Sequence, residues 1–312
     1  MAFLRGFGKY LPERVVGNAE IAALLGVESE WIHEMSGIVE RRFAGDGESV
    51  AMMGAAAGVA ALARSGVGVG ELGLILVSSG TAERRFPGPA AEIQHRLGAA
   101  QAVAMDVPMA SAGALFALAQ AEQWAGRAGK ILVVASERMS DVAMTPPMAK
   151  GTAMLFGDGA GACIIDRDGG RARIVDFELG TDGSNAAELR LDFGAPLHMN
   201  GRSVIMHALR KVPAAIETVL ARAGLRAGDL RTILMHQANA NLIAKIAQTL
   251  GVDTSKFYSN IARYGNTSSA SMLIAACEWD CQFDNGFAPG DQVMFAAFGA
   301  GYQWGAMLVE GV

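Results

Sequence analysis

Residues 102–120 read AVAMDVPMASAGALFALAQ. Val103–Val107 is a short apolar run, Pro108 turns the chain, and the small and apolar residues from Ser111 onward continue as a helix. The stretch predicts strand, turn and helix in direct succession, the unit from which α/β sheets are built. Ser111 stands at the helix entrance among Ala110, Ala112, Gly113 and Ala114, neighbours small enough to let backbone or a ligand come close. A hydroxyl there lies in the field of unpaired N–H groups. Read by itself, Ser111 is a helix N-cap.

The alternation continues on both sides. Leu72–Ser79 and Lys130–Ser136 are near-continuous apolar runs of the kind that form strands buried on both faces. Phe3–Tyr10 is a further strand, and Asn18–Leu25 (capped by Asn18), Glu28–Met35, Glu48–Ser65 and Pro89–Leu97 are helices. Thr152–Ile165 predicts two strands around a Gly-rich turn. Gly169-Gly170 is a seam between residues 1–168 and 169–312, after which the pattern restarts. Ala172–Leu179 and Arg231–Met235 are strands there. Gly201–Ala223 is a long helix with a kink expected at Pro213, and Asn239–Leu250 and Ser268–Phe283 are helices. Gln292–Phe298 and Trp304–Glu310 flank another Gly-rich turn. Both parts ending alike suggests two duplicated halves, each with its own sheet, packed as one body through shared helices.

The chain has 312 residues, 51% of them hydrophobic, and a formal charge of -5 with no dense Lys/Arg run, which argues against a nucleic-acid partner. No apolar run reaches the length of a membrane span, and the N-terminal MAFLRGFGKYLPE has no signal-peptide pattern. Cys163, Cys277 and Cys281 form neither a disulfide framework nor a metal-ligand set, and read as buried free thiols of a reduced, cytoplasmic protein.

Two further places carry chemistry. His236 follows a buried strand and opens the turn His236-Gln237-Ala238-Asn239, and the C-terminal end of a strand is where α/β proteins place reactive groups. Asn266, before a helix, is either a cap or an amide donor. Phe298-Gly299-Ala300-Gly301 is a hairpin turn or an oxyanion-binding turn. Gly157–Gly161 leads into a strand, so it is not a dinucleotide fingerprint.

DVPMASAG, GDGAGA, HQAN, YGNTSSAS and FGAGYQWG occur in the order and spacing of the β-ketoacyl-ACP synthase III family of the thiolase superfamily. The chain resembles that family from about Gly6 to Val309. The resemblance implies a thiolase-like five-layered α/β/α/β/α fold of two duplicated halves, and a homodimer. It implies transfer of an acyl group from acyl-CoA to an active-site nucleophile, then decarboxylative condensation with a malonyl group on acyl carrier protein, with no resident cofactor or metal. By the same resemblance His236 and Asn266 donate hydrogen bonds to the malonyl thioester oxygen, and the N–H groups of Ser111 and Ala300 form the oxyanion hole. Trp31, Lys150, Gly201, Ile205 and Asn239 correspond to contacts with CoA and its pantetheine arm. Phe86, Met109 and Phe298 belong to the acyl pocket, with Met144, Met148 and Met154 as further candidates, and Phe86 crosses a dimer interface.

The departures are informative. The family's nucleophile is Cys, and this chain has Ser111. A thiol is partly ionised near a helix N-terminus, whereas a hydroxyl needs a positioned base. Three readings stay open: a native serine that forms an oxygen ester, an engineered Cys-to-Ser trapping form, or a protein limited to acyl transfer or acyl binding. Three family arginines at the carrier entrance are replaced by Met35, Lys150 and Asn241, which lack the guanidinium fork. Arg202, Arg210, Lys211 and Lys245 are a candidate substitute patch.

Overall fold

The computed structural model describes residues 1–282 and 286–312. Phe283, the last residue of the helix expected over Ser268–Phe283, lies outside the described residues. Among the described residues nine strands make the main sheet: β1 (Phe3–Tyr10), β2 (Leu72–Ser78), β3 (Val103–Val107), β4 (Lys130–Arg138), β5 (Asp158–Asp166), β6 (Ala172–Thr181), β7 (Thr232–Met235), β8 (Gln292–Gly299) and β9 (Gln303–Gly311). Their spatial order is β7-β8-β9-β6-β1-β5-β4-β2-β3.

The duplication is visible in this order. β2 lies parallel to β4, β4 antiparallel to β5, and β5 antiparallel to β1. In the second half β7 lies parallel to β8, β8 antiparallel to β9, and β9 antiparallel to β6. The first half adds β3, parallel to β2, at its edge. Where two separate sheets were expected, β1 and β6 pair through Phe3↔Arg173 and Leu4↔Ala172, and the strands form one continuous sheet.

Eight longer helices among the described residues cover it: α1 (Asn18–Leu25), α2 (Ser29–Ser36), α3 (Val50–Ser65), α4 (Pro89–Leu97), α5 (Gly113–Ala128), α6 (Gly201–Ala223), α7 (Ala240–Thr249) and α8 (Ser271–Gln282). Side-chain alternation sorts them into layers, because successive residues of a strand face opposite ways. On β4, Leu132 and Val134 face α3 and α4, while Ile131, Val133 and Ala135 face a central core that includes α5 and α8. On β8, Val293, Phe295 and Ala297 face that same central core, and Met294, Ala296 and Phe298 face α6 and α7. The result is α3/α4, half-sheet, α5/α8, half-sheet, α6/α7: the expected five layers.

Several local expectations are corrected. Thr152–Ile165 is not two strands. Lys150–Ala153 is a helical turn, and the Gly-rich segment runs into the single strand β5. Its glycines serve packing: a Cβ on Gly161 would lie 2.6 Å from the Cβ of Leu273 on α8. Asn18 does not cap α1, since its amide donates to the Ile38 carbonyl and its oxygen accepts from the buried Arg41. Pro213 sits inside an uninterrupted α6. Cys281 is exposed, while Cys163 and Cys277 are buried.

Candidate active site

Ser111 is not an N-cap. Helix α5 begins at Gly113 with Ala112 before it, and no side chain caps it. Ser111 instead adopts φ 56°, in the left-handed region, at the centre of a tight turn closed by Ala112 N–H donating to the Ala110 carbonyl at 2.6 Å. A non-glycine residue there is strained, and such strain clusters at functional sites. The end of β8 presses on this turn. A Cβ on Gly299 would lie 2.8 Å from the Ala110 oxygen and the Ala112 nitrogen, and 2.9 Å from the Ser111 Cβ.

His236 is placed by β7, which continues one residue further through His236 N–H donating to the Ala296 carbonyl at 2.9 Å. Its Nδ1 meets the Ser271 hydroxyl at 2.6 Å, and the same oxygen accepts the Gln237 N–H at 3.0 Å. Ser271 is buried, and among the described residues His236 Nδ1 is the acceptor at hand for its proton. Buried hydroxyls use their proton, so Ser271 donates to Nδ1 and His236 carries its own proton on Nε2. This tautomer is assigned from the hydrogen-bond pattern. Burial pushes the imidazole down to about 4, outweighing a favourable contact with the Ser268 backbone. The ring is therefore neutral at pH 7 and acts as an N–H donor.

Asn266 is pinned to the first half by its N–H donating to Leu155 O at 2.9 Å and its carbonyl accepting from Gly157 N–H at 3.1 Å. Its Oδ1 accepts the Ser268 N–H at 2.9 Å, and its Nδ2 has no protein acceptor among the described residues. Both readings of Asn266 meet here: its oxygen shapes the turn before α8, and its amide N–H remains for a ligand.

These groups share one cavity of about 140 Å3, lined by Ser111, His236, Asn266, Asn239, Phe298, Gly299 and Ala300. Its walls include Gly201, Ile205, five residues of the largely exposed segment Leu189–Met199 (Leu189, Arg190, Leu191, Leu197 and Met199), and Met139, Val142, Leu155 and Phe156. The lining is chiefly apolar, as an acyl chain or a pantetheine arm requires.

Not every expected residue is in the cavity wall. Trp31 is half-buried against the α1–α2 cluster, and Lys150 donates to Gly26 O at 3.4 Å on the surface. Met109 is half-buried outside the lining, and Phe86 is 84% exposed. Of the other methionines offered for the lining, Met144, Met148 and Met154 pack in the α1–α2 cluster. Asn239 lines the cavity, but its side chain is occupied: Oδ1 caps α7 and Nδ2 donates to Met35 O at 2.8 Å. Asn241 likewise donates to Glu34 O at 2.8 Å. Gln237 is structural, bonded to Met235, Tyr258, Ser259 and Asn260. The Ser111 N–H, expected in the oxyanion hole, donates to Ser268 Oγ at 3.0 Å.

Glu137, Ser268, Ser271 and the Leu189–Met199 segment were missed. Glu137 ends a buried strand, as His236 follows one, and that shared position is the signal that pointed to it.

Comparison with known proteins shows the family. Residues 105–183 match the family model "3-oxoacyl-[acyl-carrier-protein (ACP)] synthase III", and residues 220–311 match its C-terminal counterpart. A β-ketoacyl-[acyl-carrier-protein] synthase III from Listeria welshimeri is 36% identical over 311 residues, covering 99% of this chain and 98% of the relative. One from Bacillus pumilus is 36% identical over 98% of this chain and 97% of its own. The crystal structure of the Aquifex aeolicus 3-oxoacyl-[acyl-carrier-protein] synthase III superposes with a TM-score of 0.94 at 32% identity, over 99% of this chain and all of that one. The priming β-ketosynthase of the R1128 polyketide pathway superposes with a TM-score of 0.91 at 32% identity, over 100% of this chain and 96% of its own. The chain is a condensing acyltransferase of the thiolase-like fold and belongs to the β-ketoacyl-acyl carrier protein synthase III family.

Proposed function

We propose that this protein takes an acyl group from acyl-CoA onto Ser111 and passes it to a carbon nucleophile generated from a malonyl thioester on acyl carrier protein. In the first step Ser111 Oγ attacks the thioester carbonyl, the C–S bond breaks, and the hydroxyl proton leaves with the CoA thiol. In the second step the malonyl group loses CO2 while the His236 Nε2–H and the Asn266 Nδ2–H stabilise the enolate oxygen. The enolate carbon then attacks the carbonyl carbon of the Ser111 ester, the ester C–O bond breaks to release the β-ketoacyl thioester on the carrier, and the serine oxygen takes a proton from solvent. The carrying observation is the convergence of Ser111, His236 and Asn266 on one apolar cavity.

The serine makes the first step slow. His236 has its proton on Nε2 and is not a ready base, so Ser111 lacks the activation that a thiolate has of itself. This favours a second reading, in which the serine form binds acyl-CoA or transfers acyl groups without efficient condensation. A homodimer is supported by Phe86 and Phe193, exposed at 84% and 78%. Among the described residues no helix is long and apolar enough to cross a membrane. A cytoplasmic setting suits the free thiols.

The test is intact-protein mass after incubation with acyl-CoAs of two to ten carbons, followed by malonyl-ACP. An acyl adduct is expected that Ser111→Ala abolishes, and Ser111→Cys is expected to form it at least about a hundredfold faster. Condensation by the cysteine form alone supports the second reading. No adduct on either form, with any donor, overturns acyl transfer in both readings, and calorimetry with acyl-CoA that shows no binding overturns the rest of the second.

A further inference from the structure

Among the described residues, two non-glycine residues have positive φ: Ser111 at 56° and Ser268 at 48°. They lie 157 positions apart in the chain and are hydrogen-bonded to each other, Ser111 N–H to Ser268 Oγ at 3.0 Å. Behind them sits Glu137, with no exposed surface. Its Oε1 accepts from the Ser268 hydroxyl at 3.0 Å, the Ser269 hydroxyl at 2.6 Å and the Ser269 N–H at 3.3 Å. Its Oε2 accepts from the Ser79 hydroxyl at 3.3 Å, the Gly80 N–H at 3.0 Å and the Thr81 hydroxyl at 2.7 Å. Every neighbour is a donor, and each oxygen has three.

We infer that Glu137 is a positioning residue for the nucleophile: through the Ser268 hydroxyl it holds the Ser111 N–H, and so fixes the left-handed turn that presents Ser111 to the cavity. This rests on the acyl-transfer reading of Ser111. The physical argument concerns hydroxyl direction. Ser268 has one proton, and the carboxylate takes it. The oxygen is then obliged to accept, and the N–H it accepts from is that of Ser111. A charged acceptor also polarises the hydroxyl and strengthens the next bond in the chain. A neutral amide at 137 breaks the arrangement, because its NH2 would face three donors whichever way it turned.

The cage also explains why the carboxylate is buried without a cation. Burial pushes the Glu137 carboxyl up on balance, and the hydroxyl and amide donors offset part of that rise. A carboxyl that took a proton would set it against one of six donors, so the geometry holds the anion. Its donors come from the end of β2 and the turn before α8, and β4 supplies the glutamate itself. Gly80, Thr81, Ser111 and Ser268 line the cavity, whereas Glu137 does not. It therefore acts through the wall.

The experiment compares acylation rates of the parent, Ser268→Gly, Glu137→Gln and the double variant, together with the Ser111 amide signal in protein labelled with 15N-serine. Glycine at 268 tolerates positive φ, so it removes the hydroxyl without adding strain. Ser268→Gly is expected to slow acylation at saturating acyl-CoA at least tenfold, with half-saturation unchanged within twofold. Glu137→Gln should do the same, and the double variant should be no slower than the slower single one. The Ser111 amide proton should move upfield in all three. An unshifted amide signal, parent-like acylation by Ser268→Gly, or additive losses in the double variant overturns the inference. If Glu137→Gln does not fold, Ser268→Gly decides alone. If no form is acylated, the acyl-transfer reading has failed, and the amide signal still tests whether Ser268 holds Ser111.

Discussion

His236 is buried and neutral, and its ionisation has a measurable consequence. Its proton affinity is lowered to about 4 in the folded protein, against about 6.5 for an exposed imidazole. Between those pH values the unfolded chain binds a proton that the folded protein does not, so unfolding gains as pH falls. Above about 6.5 neither state is protonated at His236 and the contribution vanishes. The expected loss is about 1.4 kcal/mol per pH unit, reaching roughly 3 kcal/mol near pH 4. Urea titrations from pH 7 to 4 should show this acid-side slope in the parent and a shallower one in His236→Gln. Equal slopes would mean that the ring is hydrated or charged in the native state. The same neutrality suits the proposed condensation step, because a ring whose Nδ1 is held by Ser271 carries its proton on Nε2.

At the level of elements, two loops meet at Ser111 and leave no room between them. The atoms that a Cβ at Gly299 would strike, from Ala110 to Ala112, are backbone or fixed Cβ, so Gly299→Ala must displace the Ser111 turn. The expected cost is about 1–3 kcal/mol, seen as a melting temperature lower by a few degrees, with acylation reduced by more than about tenfold. A variant that melted and reacted like the parent would show that the β8 turn moves freely. This close approach was not legible in the chain, where FGAG reads equally as a hairpin. The strands themselves were legible, because Leu72–Ser78 and Lys130–Arg138 are apolar on both faces. Asp158–Asp166 was misread because its glycines, which make room for α8, look like turn residues when α8 is out of view. His236 and Asn266 stood out through their motifs. The Glu137 cage did not, since its serines and threonine come from separate segments and have no periodicity to mark them. The Leu189–Met199 wall is largely exposed and equally lacks a pattern.

Across the whole molecule, the two halves repeat a topology without being separable bodies. Helix α8 belongs to the second half, yet it packs on β1 and β5 of the first as well as on β7 and β8 of its own. Ser271 through Asp280 are all buried. Reciprocally, α5 of the first half touches β6, β8 and β9 of the second. One core runs through both, joining Leu4, Phe7, Cys163 and Ile165 to Leu273, Trp279, Phe295 and Met307. A polar tie reinforces it: Glu278 on α8 accepts from Lys9 of β1, and from Tyr264 and Arg263 at 2.7 Å each. Cutting the chain at the glycine seam would thus strip the central layer from both halves and leave a wide apolar sheet face in water. Residues 1–168 expressed alone are expected to show no cooperative melt and to bind a hydrophobic dye, while the full chain unfolds in one transition. A cooperative melt of that fragment would mean that the repeat is also a folding unit. The proposed active site lies across the same interleaving, with Ser111 from one half and His236 and Asn266 from the other, so whatever loosens the central layer must also pull the three groups apart.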